Sequence, residues 1–287
     1  MADGRFDGFI YIEGTVSTEY VASESPAAAY LSLHLALARM RLLSQPADAA
    51  TGAGEMPGPR VMVVGERGAG KSTLVKTLTN WAVREARARQ SANDKTAVGP
   101  LVINLDVASD NSVAVPGTLS VTPARALLPT SSAIATFGSL ASSGPPVPFP
   151  QSPGDLEPNI DTYAPPVNAL VFWHGYLRAG ANPALFEALL TAVGRAVNSK
   201  IEHGGLAAWR AGVIVDTPSE WLEKRNVPTL ARAARELEVN TLFVLGNERQ
   251  FVEVNKAMAS NKSVKVLRVP RNDGVGSPPL SSPGMMS

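Results

Sequence analysis

The chain has 287 residues, which is the length of one large α/β domain or of two smaller domains. Its 26 Lys and Arg residues nearly balance its 25 Asp and Glu residues, and this net charge of +1 argues against a protein held on nucleic acid mainly by bulk charge. The chain has no cysteine, which excludes disulfides, thiolate zinc sites and cysteine nucleophiles.

The first predicted elements are two short strands and a helix. The segments FIYIEG and TEYVAS, within residues 8–23, are rich in β-branched and aromatic residues and favour strands. Two strands do not form a stable sheet alone, so they would pack on the main domain or belong to a larger sheet. Residues 27–44 follow Pro26 and contain good helix formers, which predicts a helix.

From residue 60 onward, short apolar runs alternate with helical patterns. Runs typical of strands buried on both faces occur at 60–65, 101–106, 168–175, 211–217, 240–246 and 264–270. Helices are predicted at 72–90, 183–202, 228–238 and 249–259. This alternation indicates an α/β fold with a doubly wound, mostly parallel sheet.

Two segments are too rich in Pro, Ser and Gly to pack a core. We expect a mobile insertion at about 125–166 and a disordered tail at 272–287. The predicted organisation is therefore a β-strand segment at 1–24, a central domain at 25–271 that contains the insertion, and the tail. No apolar run reaches the ~18–20 residues of a membrane helix, and the N-terminal sequence lacks the pattern of a signal peptide. We therefore expect a soluble intracellular protein without membrane contact.

One motif carries a specific chemistry. Residues 65–72, GERGAGKS, fit the phosphate-binding motif G-x-x-x-x-G-K-[ST] and lie between a predicted buried strand and a predicted helix. In such a loop the backbone N–H groups wrap a phosphate chain, the lysine reaches the β- and γ-phosphates and the hydroxyl coordinates Mg²⁺. The motif in its strand–loop–helix context predicts nucleotide binding and a fold of the P-loop NTPase type. The alternative interpretation of these residues is a chance Gly-rich turn. The candidate nucleotide-binding residues are Gly65, Gly68, Ala69, Gly70, Lys71, Ser72 and Thr73.

Two aspartates at predicted strand ends are candidates for catalysis and metal binding, because ligands gather at the carboxyl ends of such strands. Asp106 ends the second predicted strand, which we place beside the P-loop strand. Its carboxylate would hold Mg²⁺ through water or accept a proton from an attacking hydroxyl, and a helix N-cap or loop aspartate is the alternative. Asp216 ends the fourth predicted strand and is a second candidate metal ligand.

Three other residues are weaker candidates. His174 ends a predicted strand and could contact a substrate, whereas His34 is expected to pack within its helix. Trp221 could stack on a base, although a lone tryptophan more often packs in a core.

Several segments occur in an order that resembles a known family. They are TEYVASESPAAAYLSLHLALARMR, GPRVMVVGERGAGKSTLVKTL, LVINLDV, VPGT, GVIVDTPS and VNTLFVL. The sequence resembles the polynucleotide 5′-hydroxyl kinase family and, within it, the fungal P-loop subunits of mRNA cleavage and polyadenylation factor IA. The resemblance covers most of residues 9–275, and the helical segment at 30–41 followed by GPRVMVVG is more specific than the P-loop itself.

The resemblance implies a nuclear protein with an N-terminal β-sandwich, a central P-loop domain and a small C-terminal domain. It implies bound ATP and Mg²⁺ and contacts with other subunits of the cleavage and polyadenylation factor. Carried over to this chain, Lys71 would neutralise the β/γ-phosphates and Ser72 would bind the metal. Asp106 would match the aspartate that binds Mg²⁺ and activates the acceptor hydroxyl in active members.

The chain also departs from the family pattern. Active kinases follow the strand-end aspartate with Gly-Gln, whereas Asp106 is followed by Val-Ala-Ser, so Asp106 could be vestigial. Most of the β-sandwich would precede Met1, and the arginine-bearing lid expected after residue 275 is replaced by a Pro/Ser-rich segment. The resemblance therefore implies a chain truncated at both ends.

Three functions stay open at this point. The first is an ATP-binding subunit of the pre-mRNA 3′-end cleavage complex that uses its nucleotide mainly as a structural element. The second is an RNA 5′-hydroxyl kinase, which would bind RNA 5′ ends and transfer the ATP γ-phosphate to them. The third is a generic P-loop NTPase switch, although a GTPase would need an N-K-x-D motif that VLGNERQ does not supply.

Overall fold

The computed structural model describes residues 26–45, 56–108, 116–125, 127 and 169–271. The strands predicted within 1–24 and the tail at 272–287 lie outside these residues, as does nearly all of the insertion predicted at 125–166.

Strands and helices alternate along the described residues. The strands are β1 (Arg60–Gly65), β2 (Leu101–Asn104), β3 (Thr118–Pro123), β4 (Leu170–Trp173), β5 (Val213–Asp216), β6 (Thr241–Leu245) and β7 (Lys265–Arg268). The helices are α1 (Ala27–Leu43), α2 (Lys71–Ser91), α3 (Pro183–His203), α4 (Gly205–Ala211), α5 (Val227–Glu236) and α6 (Glu248–Met258). Short 3₁₀ segments span Ala179–Ala181, Ser219–Leu222 and Lys224–Asn226.

The strands of the described part form one sheet in the order β4-β3-β2-β5-β1-β6-β7. The five neighbouring strands β2-β5-β1-β6-β7 pair in parallel, whereas β3 runs antiparallel to its two neighbours, β2 and β4. The predicted α/β class with a mostly parallel sheet is confirmed. Strand β3 was not predicted, because the predicted strands are mainly apolar runs, whereas in β3 Thr118, Ser120 and Thr122 alternate with apolar residues. All three polar residues are nevertheless buried.

The strand order corrects one prediction. We expected the strand that precedes Asp106 to lie beside the P-loop strand, but β5 lies between β2 and β1. Asp216, the last residue of β5, pairs in register with Asn104 on one side and with Val63 on the other. The prediction was wrong because the order of strands along the chain does not determine their order in the sheet.

Helices cover both faces of the central strands, whose alternate residues pack into two different apolar clusters. On β1, Met62 and Val64 face one apolar cluster, which includes residues of α3, α5 and α6. Val61 and Val63 face the other cluster, which includes residues of α1 and α2. Each fully buried side chain of this size contributes about 1.5–3 kcal/mol, so these two layers hold the carboxyl ends of the central strands in place.

Helix α1 is fastened by polar contacts at both of its ends. The buried Arg41 pairs with Glu85 of α2 at 3.3 Å and donates a hydrogen bond to the carbonyl of Ala211 in α4 at 3.5 Å. At the other end, the Tyr30 hydroxyl donates to the carbonyl of Pro270, which follows β7, at 3.4 Å. Helix α1 is therefore connected to α2 and α4 at one end and to the segment after β7 at the other.

Gly212, which precedes β5, provides a stability prediction. Its φ is +70°, and a Cβ added there would lie 2.0 Å from the carbonyl oxygen of Pro59. We expect Gly212→Ala to lower the free energy of unfolding by more than about 2 kcal/mol, because a left-handed backbone conformation and a steric clash combine. Gly180→Ala is the matched control, since a Cβ there meets nothing within 4 Å. Equal denaturation midpoints for the two variants would contradict the prediction.

Candidate nucleotide-binding site

The predicted phosphate-binding loop joins the end of β1 to the start of α2. Gly68 and Gly70 have φ of +73° and +86°, a region that glycine enters without the penalty paid by other residues. Gly65 is needed for a different reason, because a Cβ there would lie 2.8 Å from the carbonyl oxygen of Leu245 on β6. Glycine at these positions lets the backbone turn sharply and lie close to the neighbouring strand.

Lys71 is the first residue of α2, and its side chain folds back over the loop. Its ammonium donates a hydrogen bond to the backbone carbonyl of Glu66 at 3.0 Å. Burial lowers the pKa of Lys71, while the nearby carboxylates of Asp216 and Asp106 raise it. The ammonium therefore lies at the loop, close to two acidic groups and within the pocket that a phosphate chain would fill.

Ser72 and Asp216 are in direct contact. The Ser72 hydroxyl donates to Asp216 Oδ2 at 2.6 Å, which connects the N-terminus of α2 to the carboxyl end of β5. The backbone N–H of Thr217 donates to Asp216 Oδ1 at 3.0 Å, and the Thr217 hydroxyl donates to the carbonyl of Val63 at 2.7 Å. These bonds fix the carboxylate beside the loop.

Asp216 is a buried carboxylate, so its charged form carries an electrostatic cost. Its side chain is only 1% exposed, and burial raises its pKa to about 6. The hydrogen bond from Ser72 and the charge of Lys71 oppose that rise, whereas Asp106 adds to it. A cation placed next to this carboxylate would relieve the cost of burying it.

Asp106 lies at the edge of the site and one strand farther from the loop strand than Asp216. Its backbone N–H donates to Asn104 Oδ1 at 3.2 Å, and Asn104 Nδ2 donates to its carbonyl at 3.1 Å. Its carboxylate accepts a hydrogen bond from the backbone of Ala108 at 3.1 Å. Both predicted aspartates act on the charge of Lys71, and Asp216 accepts the hydrogen bond from Ser72 of the P-loop.

The sequence contained a signal for this ranking. Asp216 directly follows the wholly apolar run Val213–Val215, which is the pattern of a buried strand that ends in a metal-binding aspartate. By contrast, β2 carries a polar Asn104 and ends two residues before Asp106. Both aspartates were predicted as metal ligands from their position at the end of a strand. The wholly apolar run before Asp216 is the further feature that distinguishes it from Asp106.

The donor set at the loop fits Mg²⁺ bound together with phosphate. Within the described part of the chain, no group of three or more His, Cys, Asp and Glu residues could hold a metal by itself. Mg²⁺ in proteins is commonly held by one or two carboxylates, with phosphate oxygens and waters completing its octahedron. The Ser72 hydroxyl and the Asp216 carboxylate supply ligands of this kind at one point.

The weaker candidates pack in the protein interior instead of joining the site. His174 is buried, with its ring nitrogens 3.1 Å from the carbonyl of Tyr176 and 3.4 Å from that of Asn182. Trp221 is buried edge-on against Phe186, with ring centroids 6.1 Å apart. His34 lies 5.5 Å from the ring of Trp81 on the opposite side of the sheet from Trp221, as its predicted packing role requires.

Comparison with known proteins shows which proteins the chain is similar to. The family model "mRNA cleavage and polyadenylation factor CLP1 P-loop" matches residues 153–284. The mRNA cleavage and polyadenylation factor CLP1 of Laccaria bicolor is 33% identical over 273 residues, with 90% of this chain and 50% of the relative covered. The solved Clp1p–Pcf11p (454–563) complex matches with a TM-score of 0.65 at 25% identity, covering 88% of this chain and 50% of the other.

The chain is similar to members of the CLP1 P-loop family. A CLP1 homolog of Aedes aegypti is 28% identical and covers 93% of the chain. A second solved structure, which concerns the extended Pcf11p–Clp1p interface and ATP loss in a glycine-to-arginine point mutant, has a TM-score of 0.65 at 24% identity and supports the fold. The chain spans about half the length of the CLP1 relatives that it matches. None of the helices described is long and apolar enough to cross a membrane.

The buried carboxylate of Asp216 predicts a pH-dependent stability. Because the native pKa of Asp216 is about 6 and its ordinary value is 3.8, the folded state holds this proton more tightly than the unfolded state. That stabilisation is complete below about pH 3.8 and is lost as the pH rises through about 6. In EDTA and without nucleotide, we expect Asp216→Asn to be about 2–3 kcal/mol more stable than wild type at pH 7.5. At pH 4 the difference should vanish.

Chemical denaturation at both pH values measures this difference. Asparagine keeps one acceptor oxygen for the Thr217 N–H, and its Nδ2 can donate to the Ser72 hydroxyl, so the variant removes the charge and keeps a hydrogen bond to each neighbour. A variant that is less stable than wild type at pH 7.5 would show that the carboxylate does not carry the expected cost.

Proposed function

We propose that this chain is an ATP-binding subunit of the pre-mRNA 3′-end cleavage and polyadenylation machinery, with the nucleotide serving mainly as a structural element. The observation that carries the proposal is the contact of Ser72 with Asp216 beside Lys71, at the end of the P-loop strand. The names of the CLP1 relatives supply the biological setting, which is mRNA cleavage and polyadenylation, and we propose the nucleus as the compartment in which the chain acts.

Each site residue would have a defined task in holding ATP. The backbone N–H groups from Gly68 to Thr73 would surround the β-phosphate, helped by the partial positive charge at the N-terminus of α2. Lys71 would exchange the Glu66 carbonyl for phosphate oxygens. Mg²⁺, when bound, would neutralise phosphate charge, and Ser72 and Asp216 would hold it. The carboxylate would then be paired with a cation instead of being buried beside a hydroxyl alone.

The segment after β6 favours adenine over guanine. In a GTPase this position carries N-K-x-D, whose asparagine and aspartate bind the base. Here Asn247 is the N-cap of α6, and its side chain accepts a hydrogen bond from the backbone of Gln250 at 2.9 Å. Its amide oxygen is therefore engaged in capping. The solved relative described in terms of ATP loss supports the same choice of nucleotide.

A structural role for the nucleotide follows from the energetics of binding. A ligand that binds only the folded state stabilises it by about 2.7 kcal/mol when its concentration is a hundred times its Kd. This is a large fraction of the usual stability of a domain, about 5–15 kcal/mol. The solved Clp1p–Pcf11p complex supports contact with another subunit of the machinery, for which a folded, nucleotide-filled domain would be the platform.

ATP binding should depend strongly on Lys71. We expect Lys71→Ala to weaken Mg²⁺·ATP binding by about 1.5–3 kcal/mol or more, because it removes a charge-assisted contact to the phosphates. Isothermal titration calorimetry measures the affinity, and the ATP-induced rise in melting temperature should fall in parallel. Lys200→Ala, on the exposed surface of α3, is the matched control. Equal affinities for wild type and Lys71→Ala would refute the proposal.

The second candidate function is an RNA 5′-hydroxyl kinase, which the position of Asp106 near Lys71 favours. Phosphoryl transfer depends on accurate positioning, and Asp106 follows a strand that lies one position farther from the P-loop strand than the strand of Asp216 does. We therefore expect little or no transfer of labelled γ-phosphate to a 5′-hydroxyl RNA oligonucleotide. Turnover near about one per second, typical of the slower kinases, that Asp106→Asn and Lys71→Ala both abolish would establish the kinase instead.

A further inference from the structure

The second residue of the P-loop, Glu66, connects the loop to two other elements. Its carboxylate accepts a hydrogen bond from the side-chain amide of Gln250 in α6. The same carboxylate lies 3.5 Å from a guanidinium nitrogen of Arg271, which follows β7. Its backbone carbonyl accepts from the Lys71 ammonium at 3.0 Å and from the backbone of Ala69 at 3.2 Å. Glu66 therefore links the P-loop and its Lys71 to α6 and to the segment after β7.

The Gln250 side chain is held in place before it reaches the loop. Its Oε1 accepts a hydrogen bond from the backbone of Asn247 at 3.1 Å, as the second half of the capping box of α6. A Cβ added at Gly246 would lie 2.3 Å from this same oxygen, so glycine makes room for the fold-back. With Oε1 fixed by the helix cap, Nε2 points at Glu66 without further loss of side-chain freedom.

The two contacts of the Glu66 carboxylate differ in strength. The bond from Gln250 is partly buried and has a charged acceptor, so it belongs to the stronger class of hydrogen bonds. The Arg271 contact is longer and is exposed to water, which screens it. The Gln250 bond is thus the main link between the loop and α6.

We propose that Glu66 is a positioning residue that sets nucleotide affinity by holding the phosphate-binding loop against Gln250. The inference rests on the proposed ATP binding. A loop with glycines at Gly68 and Gly70 has many accessible backbone conformations, and a ligand that orders it loses affinity by the cost of that ordering. A side chain that fastens the loop to the cap of α6 pays that cost in advance. The effect concerns phosphate binding and is independent of the base.

The test compares Glu66→Ala with Glu66→Gln, which removes the charge but keeps an oxygen that can accept from Gln250. Affinities for Mg²⁺·ATP and for Mg²⁺·tripolyphosphate, which has no nucleoside, are measured by calorimetry. We expect Glu66→Ala to weaken both ligands by the same factor, about 5- to 30-fold. Glu66→Gln should stay within about threefold of wild type. Glu253→Ala is the matched control, because Glu253 lies on α6, the helix that carries Gln250, and pairs with Arg249 at 3.4 Å.

Hydrogen exchange in the nucleotide-free protein provides a second readout. The loop amides should exchange faster in Glu66→Ala than in wild type, and should be unchanged in Glu253→Ala. A loss of affinity for ATP alone would place Glu66 on the nucleoside and overturn the proposal. So would a loss in Glu66→Gln as large as in Glu66→Ala, because that result would assign the effect to the Arg271 ion pair.

Failure of the proposed function has a different signature, because the wild type itself would then bind neither ligand. The exchange measurement decides on Glu66 in that case, since unchanged exchange in Glu66→Ala would show that the side chain does not hold the loop.

Discussion

The hydrogen bond between Ser72 and Asp216 is the interaction on which the site depends. It joins the first turn of α2 to the end of β5, and it forms only because β5 lies directly beside the P-loop strand. Thr217 strengthens the same junction by bonding to the carbonyl of Val63. The apolar layers on both faces of the sheet hold these strand ends at fixed positions, so the packing of the core determines the geometry of the polar site.

The same contact explains why the site is suited to a charged ligand. Burial raises the pKa of Asp216 and lowers that of Lys71, so each charged form is disfavoured where it stands. A phosphate chain with its metal would place negative charge beside the lysine and positive charge beside the carboxylate. Ligand binding would therefore remove an electrostatic cost present in the nucleotide-free fold, which agrees with a nucleotide that stabilises a subunit even without turnover.

Family similarity and chemistry answer different questions for this chain. The CLP1 matches indicate the fold and the relatives, while the geometry indicates which residues would bind phosphate and metal in the proposed function. Because the chain spans about half the length of those relatives, the functions of the whole proteins stay proposals for it. The support of the loop by Glu66 and Gln250 is a property of this chain's own residues and can be tested whatever its partners are.

The sequence by itself determined the features that depend on neighbouring residues. Buried strands read as apolar runs, helices as periodic ones, and the P-loop as a motif whose glycines, lysine and serine are consecutive, so Gly65 to Thr73 could be predicted. The apolar run before Asp216 favours it as a site residue, but only the tertiary structure showed that Asp216 accepts the Ser72 hydrogen bond, because strand order is a long-range property. It also revealed β3, whose polar residues are buried, and the bond between Glu66 and Gln250, which are 184 positions apart. Contacts of that range arise only when the whole sheet is assembled, and no local pattern encodes them.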